Sequence, residues 1–283
     1  MAGISTNRTN IALPTEVSSE ILAKTQEDSA VMTLARQIAL PGRGLTIPVI
    51  TGDPEASWVD ETDPKPISNP GLSTKIMQAY KLAVIVPFSN EFRRDDAALY
   101  DALVDRLPLA LASKFDATVF HGTAPGSNFD TFASVTAQSF GTDEYAALVA
   151  ADSDIAVHGG TLNGFVLSPQ GRGALLAAVD GNQRPLFINN VEDGAIPRLL
   201  GAPVELSKAA YLNDTTDVLG FAGDWSEAMY GTVEGVQIDI SDQATLTISG
   251  SPVNLWERNM FAVRAEIEVG FRADLTVFNR LTA

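Results

Sequence analysis

The sequence predicts a mixed α+β chain built around one long β excursion and one long amphipathic helix. Three observations predict it. Residues 45–92 read as extended, proline-punctuated β structure, with Leu45, Ile47 and Val49 alternating with Thr46, Pro48 and Ile50. Directly afterwards, between Asp95 and Phe120, Leu99, Leu103, Leu107, Leu111, Phe115 and Val119 recur at every fourth position, the stripe of a helix with one apolar face. Near the C-terminus, Phe261, Val263, Ala265, Ile267, Val269 and Phe271 alternate with Arg264, Glu266, Glu268 and Arg272, the period-two pattern of a half-exposed strand.

The β excursion is the unusual part. Pro54, Pro64, Pro66 and Pro70 fall between its strand segments, and each removes a backbone donor that a central sheet strand would need. It reads as a hairpin-like arm with a polar tip, having short strands at 45–50 and 57–59 and a longer returning strand over 72–87. Such an arm leaves backbone N–H and C=O groups without partners and has too few apolar residues to cover both faces. Neighbouring copies of the chain would supply the cover, so the sequence points first to an assembly subunit.

The remaining elements follow in order. Residues 1–13 are small and polar; Pro14 opens a short helix that places Val17, Ile21 and Leu22 on one face and pairs Glu20 with Lys24. Val31–Leu40 is apolar enough for a strand and ends in the turn Pro41-Gly-Arg-Gly44. Within the long helix, Asp95 and Asp96 favour the start, and Pro108 should clash with the carbonyl of Val104 and kink it. His121-Gly122 ends it, with a charged His121 suited to the helix C-terminus. Residues 135–235 read as an α/β region. A helix is predicted over 142–158 and a buried strand over 164–167. Another helix, capped by Ser168 and opened by Pro169, runs to Val179 and is closed by Gly181; strands follow near 203–206 and 218–221. Val236, Ile238 and Ile240 alternate with Gln237, Asp239 and Ser241 as a further strand.

Composition excludes several functions. The 283 residues carry 19 Lys and Arg against 35 Asp and Glu, a net charge of −16 that disfavours wrapping a phosphate backbone and also serves solubility. No cysteine is present, so disulfides, thiolate metal sites and cysteine nucleophiles are excluded, and a cytosolic origin fits. The N-terminus lacks the apolar core of a secretory signal, and no run approaches the ~20 apolar residues of a membrane span. There is no glycine-lysine phosphate loop, no dinucleotide fingerprint after Gly171-Arg-Gly173, no serine–lysine spacing and no nucleophile elbow. His121 and His158 have no metal-binding spacing with the acids. The pairs Asp60-Glu61, Asp95-Asp96, Asp152 with Asp154, and Glu192-Asp193 could in principle work as acid and base, but an acidic surface produces such pairs by chance. Arg93-Arg94 is offset by Asp95-Asp96. Of Trp58, Trp225 and Trp256, Trp58 lies on the arm and suits an interface anchor. The predicted catalytic, cofactor and metal sites are therefore none.

The segments PTEVSSEILAKTQEDSAVMTLARQI, SWVDETDPKP, KLAVIVPFSNEF, LYDALVDRLPLALASKFDATVFHG, GFVLSPQGRGALLAAVDGNQRPLF, ERNMFAVRAEIEVGFR and DLTVFNRLT, taken in this order, resemble the tailed-bacteriophage major capsid proteins of the Hong Kong 97 type. The resemblance covers nearly the whole chain and lies in the order of elements rather than in any catalytic signature. It implies an N-terminal arm and helix over 1–44, an extended β-hairpin E-loop over 45–90, and a peripheral domain over 91–134 whose spine helix is 95–121. It further implies an axial α/β domain over 135–235, and strands and a C-terminus over 236–283 that return to the peripheral domain.

The implied function is structural. Pentamers and hexamers of the chain would form the icosahedral head shell around double-stranded DNA, assembled in the host cytoplasm and located in the virion. The partners would be other copies of the chain, separate scaffolding and portal proteins, decoration proteins, and DNA touched non-specifically, with no membrane. Many relatives carry a removable scaffolding segment before the arm. Here Met1 is followed at once by the arm, so scaffolding is expected to be separate or absent. Some relatives weld subunits by a lysine–asparagine isopeptide bond. Lys65 lies in the arm, but its Pro-Lys-Pro setting does not match that pattern, so no catalytic residue is carried over. Two alternatives stand: an encapsulin-type bacterial compartment of the same fold, and an acidic hydrolase using paired carboxylates.

Overall fold

The computed structural model describes residues 29–42, 44–52, 56–59, 64–65, 67, 71–90, 96–141, 143–180, 182–187, 198–248 and 250–283. The helix expected over 14–24 and the residues before it lie outside the described residues. A short helix, α1 (Ala30–Leu34), capped by Ser29, runs into strand β1 (Arg36–Ala39), so the segment expected as one strand is divided. The division follows from the cap: the Ser29 hydroxyl accepts from the Met32 N–H, which commits the first turn to helix.

Strands β2 (Leu45–Gly52) and β3 (Gly71–Met77) pair antiparallel as a separate two-stranded ribbon, from Leu45 opposite Met77 to Gly52 opposite Gly71. After Gln78 and Ala79 the chain re-enters the body as β4 (Tyr80–Ser89). The returning strand expected over 72–87 is thus two strands in different sheets. The segment 57–59 is not a strand; Trp58 there is fully exposed.

Helix α2 (Asp96–Phe120) runs unbroken through Pro108. Leu107, Leu111, Phe115 and Val119 are all buried, and the side chains of Leu99 and Leu103 lie outside the described residues. Its apolar face packs on a sheet made by β1, β4, β10 (Ala228–Thr232), β11 (Gln237–Ser241) and β14 (Met260–Ala273). Both β4 and β11 pair with residues 262–266 of β14, so they occupy its opposite edges. A small hairpin of β12 (Thr245–Ile248) and β13 (Ser251–Asn254) lies between β11 and β14 in the chain.

The second sheet has the order β5 (Thr136–Ser139), β15 (Phe278–Thr282), β9 (Val218–Gly223), β6 (Gly164–Leu167), β8 (Ala202–Leu206), β7 (Arg198–Leu199). Helix α3 (Glu144–Val157), capped by Asp143, and helix α4 (Pro169–Ala177), capped by Ser168, accompany it. α4 stops two residues before the expected Val179, which instead bridges to Pro185.

Sheet membership does not follow the boundary expected at 235/236. Strand β10, inside the expected axial region, belongs to the first sheet, and β15, inside the expected returning segment, sits between β5 and β9 in the second. The chain therefore crosses between the sheets twice after β9, and both crossings have one design. Asp224 follows β9 and caps a 3-10 turn (Trp225–Glu227) through the N–H and hydroxyl of Ser226; Asp274 follows β14 and caps the turn Leu275–Val277 through the N–H and hydroxyl of Thr276. The two turns lie side by side: Asp224 N–H donates to the Val277 carbonyl and Asp274 N–H to the Glu227 carbonyl. Burial pushes the Asp224 carboxyl up, but donors from Ser226, Thr161 and Asn163 outweigh it and hold it below the usual range.

Rings fill the joint between the sheets. Phe132, on the turn after α2, lies 4.5 Å from Phe278, 5.7 Å from Trp225, 5.6 Å from Phe271 and 5.8 Å from Phe221, centroid to centroid. Gly164 and Gly223 face each other across β6 and β9. A Cβ at Gly164 would meet the Trp225 ring and one at Gly223 the Phe278 ring, so both positions must be bare for the rings to lie on the sheet. Gly223→Ala should therefore cost about 1–3 kcal/mol by overpacking, read as a lowered midpoint in thermal or denaturant unfolding of the unassembled subunit. Gly235→Ala, where a Cβ meets nothing within 4 Å, is the control that should leave the midpoint nearly unchanged.

Candidate functional site

The features that could act on other molecules are the β2–β3 arm and the two polar joints that fix it and the N-terminal segment to the body. The arm's root is built around Arg272. This residue lies on β14, where the alternating pattern predicts an exposed side chain, yet it is only 9% exposed. Its Nε donates to the Ile76 carbonyl of β3 at 2.8 Å and Nη1 to Asp130 at 2.7 Å, while Nη2 donates to Asn128 at 3.0 Å and to the Ser127 carbonyl at 3.4 Å. The second carboxylate oxygen of Asp130 accepts the Ala273 N–H, and Lys75 Nζ on β3 donates to the Ala273 carbonyl. One guanidinium thus joins the arm, the loop after α2 and the central strand. The half-exposed strand expected over 261–271 holds for its first part, where Arg264 is exposed and paired with Asp239; beyond Val269 the arm's root and residues 127–130 cover the second face.

The second joint is Asp116 on α2, which is 1% exposed. It accepts from the Ser29 hydroxyl at 2.6 Å, the Ala30 N–H at 3.0 Å, the Val31 N–H at 3.4 Å and the Ser207 hydroxyl at 3.2 Å. A carboxylate in one helix therefore caps the first turn of another and holds the turn at Lys208–Ala210 as well. Burial pushes its carboxyl up to about 6, against the four donors that pull it down. The sequence reading missed both joints. The signal for Arg272 was an arginine at a position flanked by phenylalanine and alanine; Asp116 was a lone acid beside the apolar stripe.

Among the described residues, the other singled-out side chains are not gathered into a reaction centre. Asp60-Glu61, Arg93-Arg94, Asp95 and Glu192-Asp193 lie outside the described residues, and Asp152 is exposed. Asp154 offers its carbonyl to His158 Nδ1 at 2.8 Å. His121 does not serve as a charged helix cap: half-buried between Phe120 and Phe221, its Nε2 lies 3.0 Å from the Ala210 carbonyl. Burial pushes its pKa below the ordinary value, and Arg280 pushes the same way, against the Ala210 hydrogen bond. Trp225 is a core ring, whereas Trp58 and Trp256 are exposed. Lys65 is exposed. Among the described residues, no group of three His, Asp or Glu is placed to hold a metal ion.

The sequence matches the phage capsid family over residues 9–274. The chain belongs to that family. The probable major capsid protein gp17 of Mycobacterium phage D29 is 30% identical over 95% of this chain and 89% of its own length. Among solved structures, one from Gordonia phage Cozz aligns with a TM-score of 0.71 at 21% identity, covering 90% of this chain and 86% of that one. The capsid of an empty GTA particle aligns at 0.68 and 15% identity, over 100% of this chain and 94% of that one. The fold of this family member is the Hong Kong 97-type capsid fold, as the order of segments implied.

The Asp116 joint responds to pH. The raised Asp116 carboxyl favours the folded state when protonated, so its contribution is complete below the ordinary value of 3.8 and is lost as pH rises through about 6. The gap corresponds to about 3 kcal/mol. Asp116→Asn should therefore flatten the stability profile between pH 4 and 7, measured by denaturant unfolding at each pH, with the wild type losing stability toward pH 7 relative to the variant. Arg272→Met, which leaves Asp130 without its buried cation, should cost about 3–5 kcal/mol at neutral pH, read as a lowered midpoint in denaturant unfolding.

Proposed function

We propose that this major capsid protein of a tailed phage works as a shell tile. Copies gather into pentamers and hexamers and close into an icosahedral head around double-stranded DNA, which makes the chain a component of the virion. The observation that carries the reading is the arm. Among the described residues, β2 and β3 pair only with each other, and Trp58 and Ile67 beyond them are 104% and 88% exposed. A lone two-stranded ribbon with bare apolar side chains is marginal in water and gains its cover from a second copy. The matched family and the capsid of the GTA particle support self-association.

The parts receive roles within that reading. The β2–β3 arm is the E-loop, and β4 belongs with α2 and the first sheet as the peripheral domain. The second sheet, with α3 and α4 and now including β15, is the axial domain that gathers at the capsomer axes. Leu200 and Leu206, at the β7–β8 side of that sheet, are exposed, which suits contact with neighbours. The net charge of −16 keeps the wall from gripping the genome, so contact with DNA is non-specific. The role is structural rather than catalytic, in keeping with the family and with the scattered carboxylates.

Electron microscopy of the expressed chain tests this. The wild type should form closed shells or capsomers, and a variant lacking residues 52–71 should stay soluble but form no stable shell. Closed shells of normal size from the deletion variant would show that the arm is not an assembly element.

A further inference from the structure

We propose that Asp116 is a proton-operated latch: protonated, it holds residues 29–31 and the turn at Lys208–Ala210 firmly to α2, and as its proton leaves, both attachments open more often. The latch belongs to the single subunit and works whether or not shells form.

Three features of the site carry it. The first is a charge without a counter-charge. Asp116 is 1% exposed, and the groups that reach it are neutral: the hydroxyls of Ser29 and Ser207 and the N–H groups of Ala30 and Val31. α1 has no ionisable side chain, and neither has the turn Phe132–Ser134, which also packs on α2. β4 brings Tyr80, which accepts the Asn128 N–H, and Lys81, which pairs with Glu268. Lys208 and Lys114 are exposed, and His121, five residues along α2, lies at the far end of the same turn with Nε2 3.0 Å from the Ala210 carbonyl. Among the described residues, no cation reaches the carboxylate.

The second feature is that the site accommodates either form of the acid. Ser29 donates to one carboxylate oxygen and Ser207 to the other. Both hydroxyls rotate, so either can turn to accept the acid's proton while the Ala30 and Val31 N–H groups stay in place. The third is that one group ties distant segments together. Residues 29–31 lead through α1 into β1, and the turn joins β8 to β9 of the second sheet. Opening both attachments returns the carboxylate to water, where it ionises at its ordinary value. Burial outweighs the four donors and pushes the docked carboxyl up to about 6, so the docked state holds the proton more tightly than the open one. The added grip is complete below 3.8 and is lost as pH rises through about 6.

Hydrogen exchange on the unassembled full-length chain tests the latch, with rates corrected for the intrinsic effect of pH. The reporters are the amides of Thr33, bonded to the Ser29 carbonyl in α1, and of Ala210, bonded to the Ser207 carbonyl in the turn. Both should open about 10-fold more often at pH 7 than at pH 5. Both should also open more often than Leu148 and Ala151 within α3, because a local opening precedes loss of the whole fold. Asp116→Asn cannot titrate and should abolish the difference between the two pH values. Ser207→Ala removes one donor that holds the carboxyl down, so it should move the rise to higher pH. That variant leaves Asp116 and its α1 contacts in place and reads the latch even where the Asn variant does not fold. A flat wild-type profile overturns the proposal. So does a rise that Ser207→Ala leaves at the same pH, or one that survives Asp116→Asn, which would belong to His121 instead. Equal opening of the reporters and the α3 amides would report unfolding of the whole chain, and it too overturns the proposal.

Discussion

The aromatic joint between the two sheets is the constraint on which the rest of this structure depends. The chain passes from the second sheet to the first after β9 and returns after β14, so neither sheet is a contiguous piece of sequence. Two sheets joined only by chain crossings would swing freely unless something filled the gap between them. Phe132, Phe221, Trp225, Phe271 and Phe278 fill it, and each comes from a different element. Edge-to-face and offset contacts of this kind add about 0.5–1.5 kcal/mol per pair beyond the area they bury. They are also directional, which apolar area alone is not. A tile that must meet identical neighbours at fixed angles needs its two halves held at one angle, and interlocked rings supply that.

Polar joints then attach the extended segments to this body. Arg272 and Asp116 are both buried on elements that also contribute to the core, α2 and β14. Each gathers several hydrogen bonds from segments distant in sequence, with |i−j| between 85 and 196. The division of labour is physical. Apolar contact is strong but slides, so it suits the broad faces of α2 and the sheets. A fork of N–H donors or a carboxylate fixed by four donors tolerates little displacement, so it suits the places where an arm must leave in a set direction. The cost is that each joint holds a buried charge, which becomes a liability when one partner is removed.

Much of this was legible in the sequence, and the parts that were not share a cause. The apolar stripe of α2, the caps Ser168 and Pro169 of α4, the buried strand Gly164–Leu167 and the alternation along β14 all depend on local spacing, and local spacing is what sequence displays. The order of segments gave the capsid fold. The misplacement of β10 and β15 came from treating the chain after residue 236 as one body, because strand partners are long-range facts. A local trace of the crossings existed, since Asp224-Trp-Ser and Asp274-Leu-Thr are matching Asp-capped turns, but neither marks a change of sheet until both are seen side by side. The break of the returning strand at Gln78 and Ala79 was hidden for a related reason. Residues 72–87 alternate well enough for one strand, and only the pairing of β4 with β14 and of β3 with β2 divides them. Arg272 was read as exposed because period two describes one covered face, whereas the arm's root covers the other.

The acidity of the arm can now be reconciled with its exposed ring. A free subunit that displays Trp58 and Ile67 faces the problem of any open ribbon, which is indiscriminate pairing with other apolar surfaces. Five acidic residues between 53 and 63, on a chain already at −16, oppose such encounters between arms, because like charges meet before the rings do. Acidity in this chain therefore does more than keep it soluble. It makes the wrong contact, arm against arm, unfavourable.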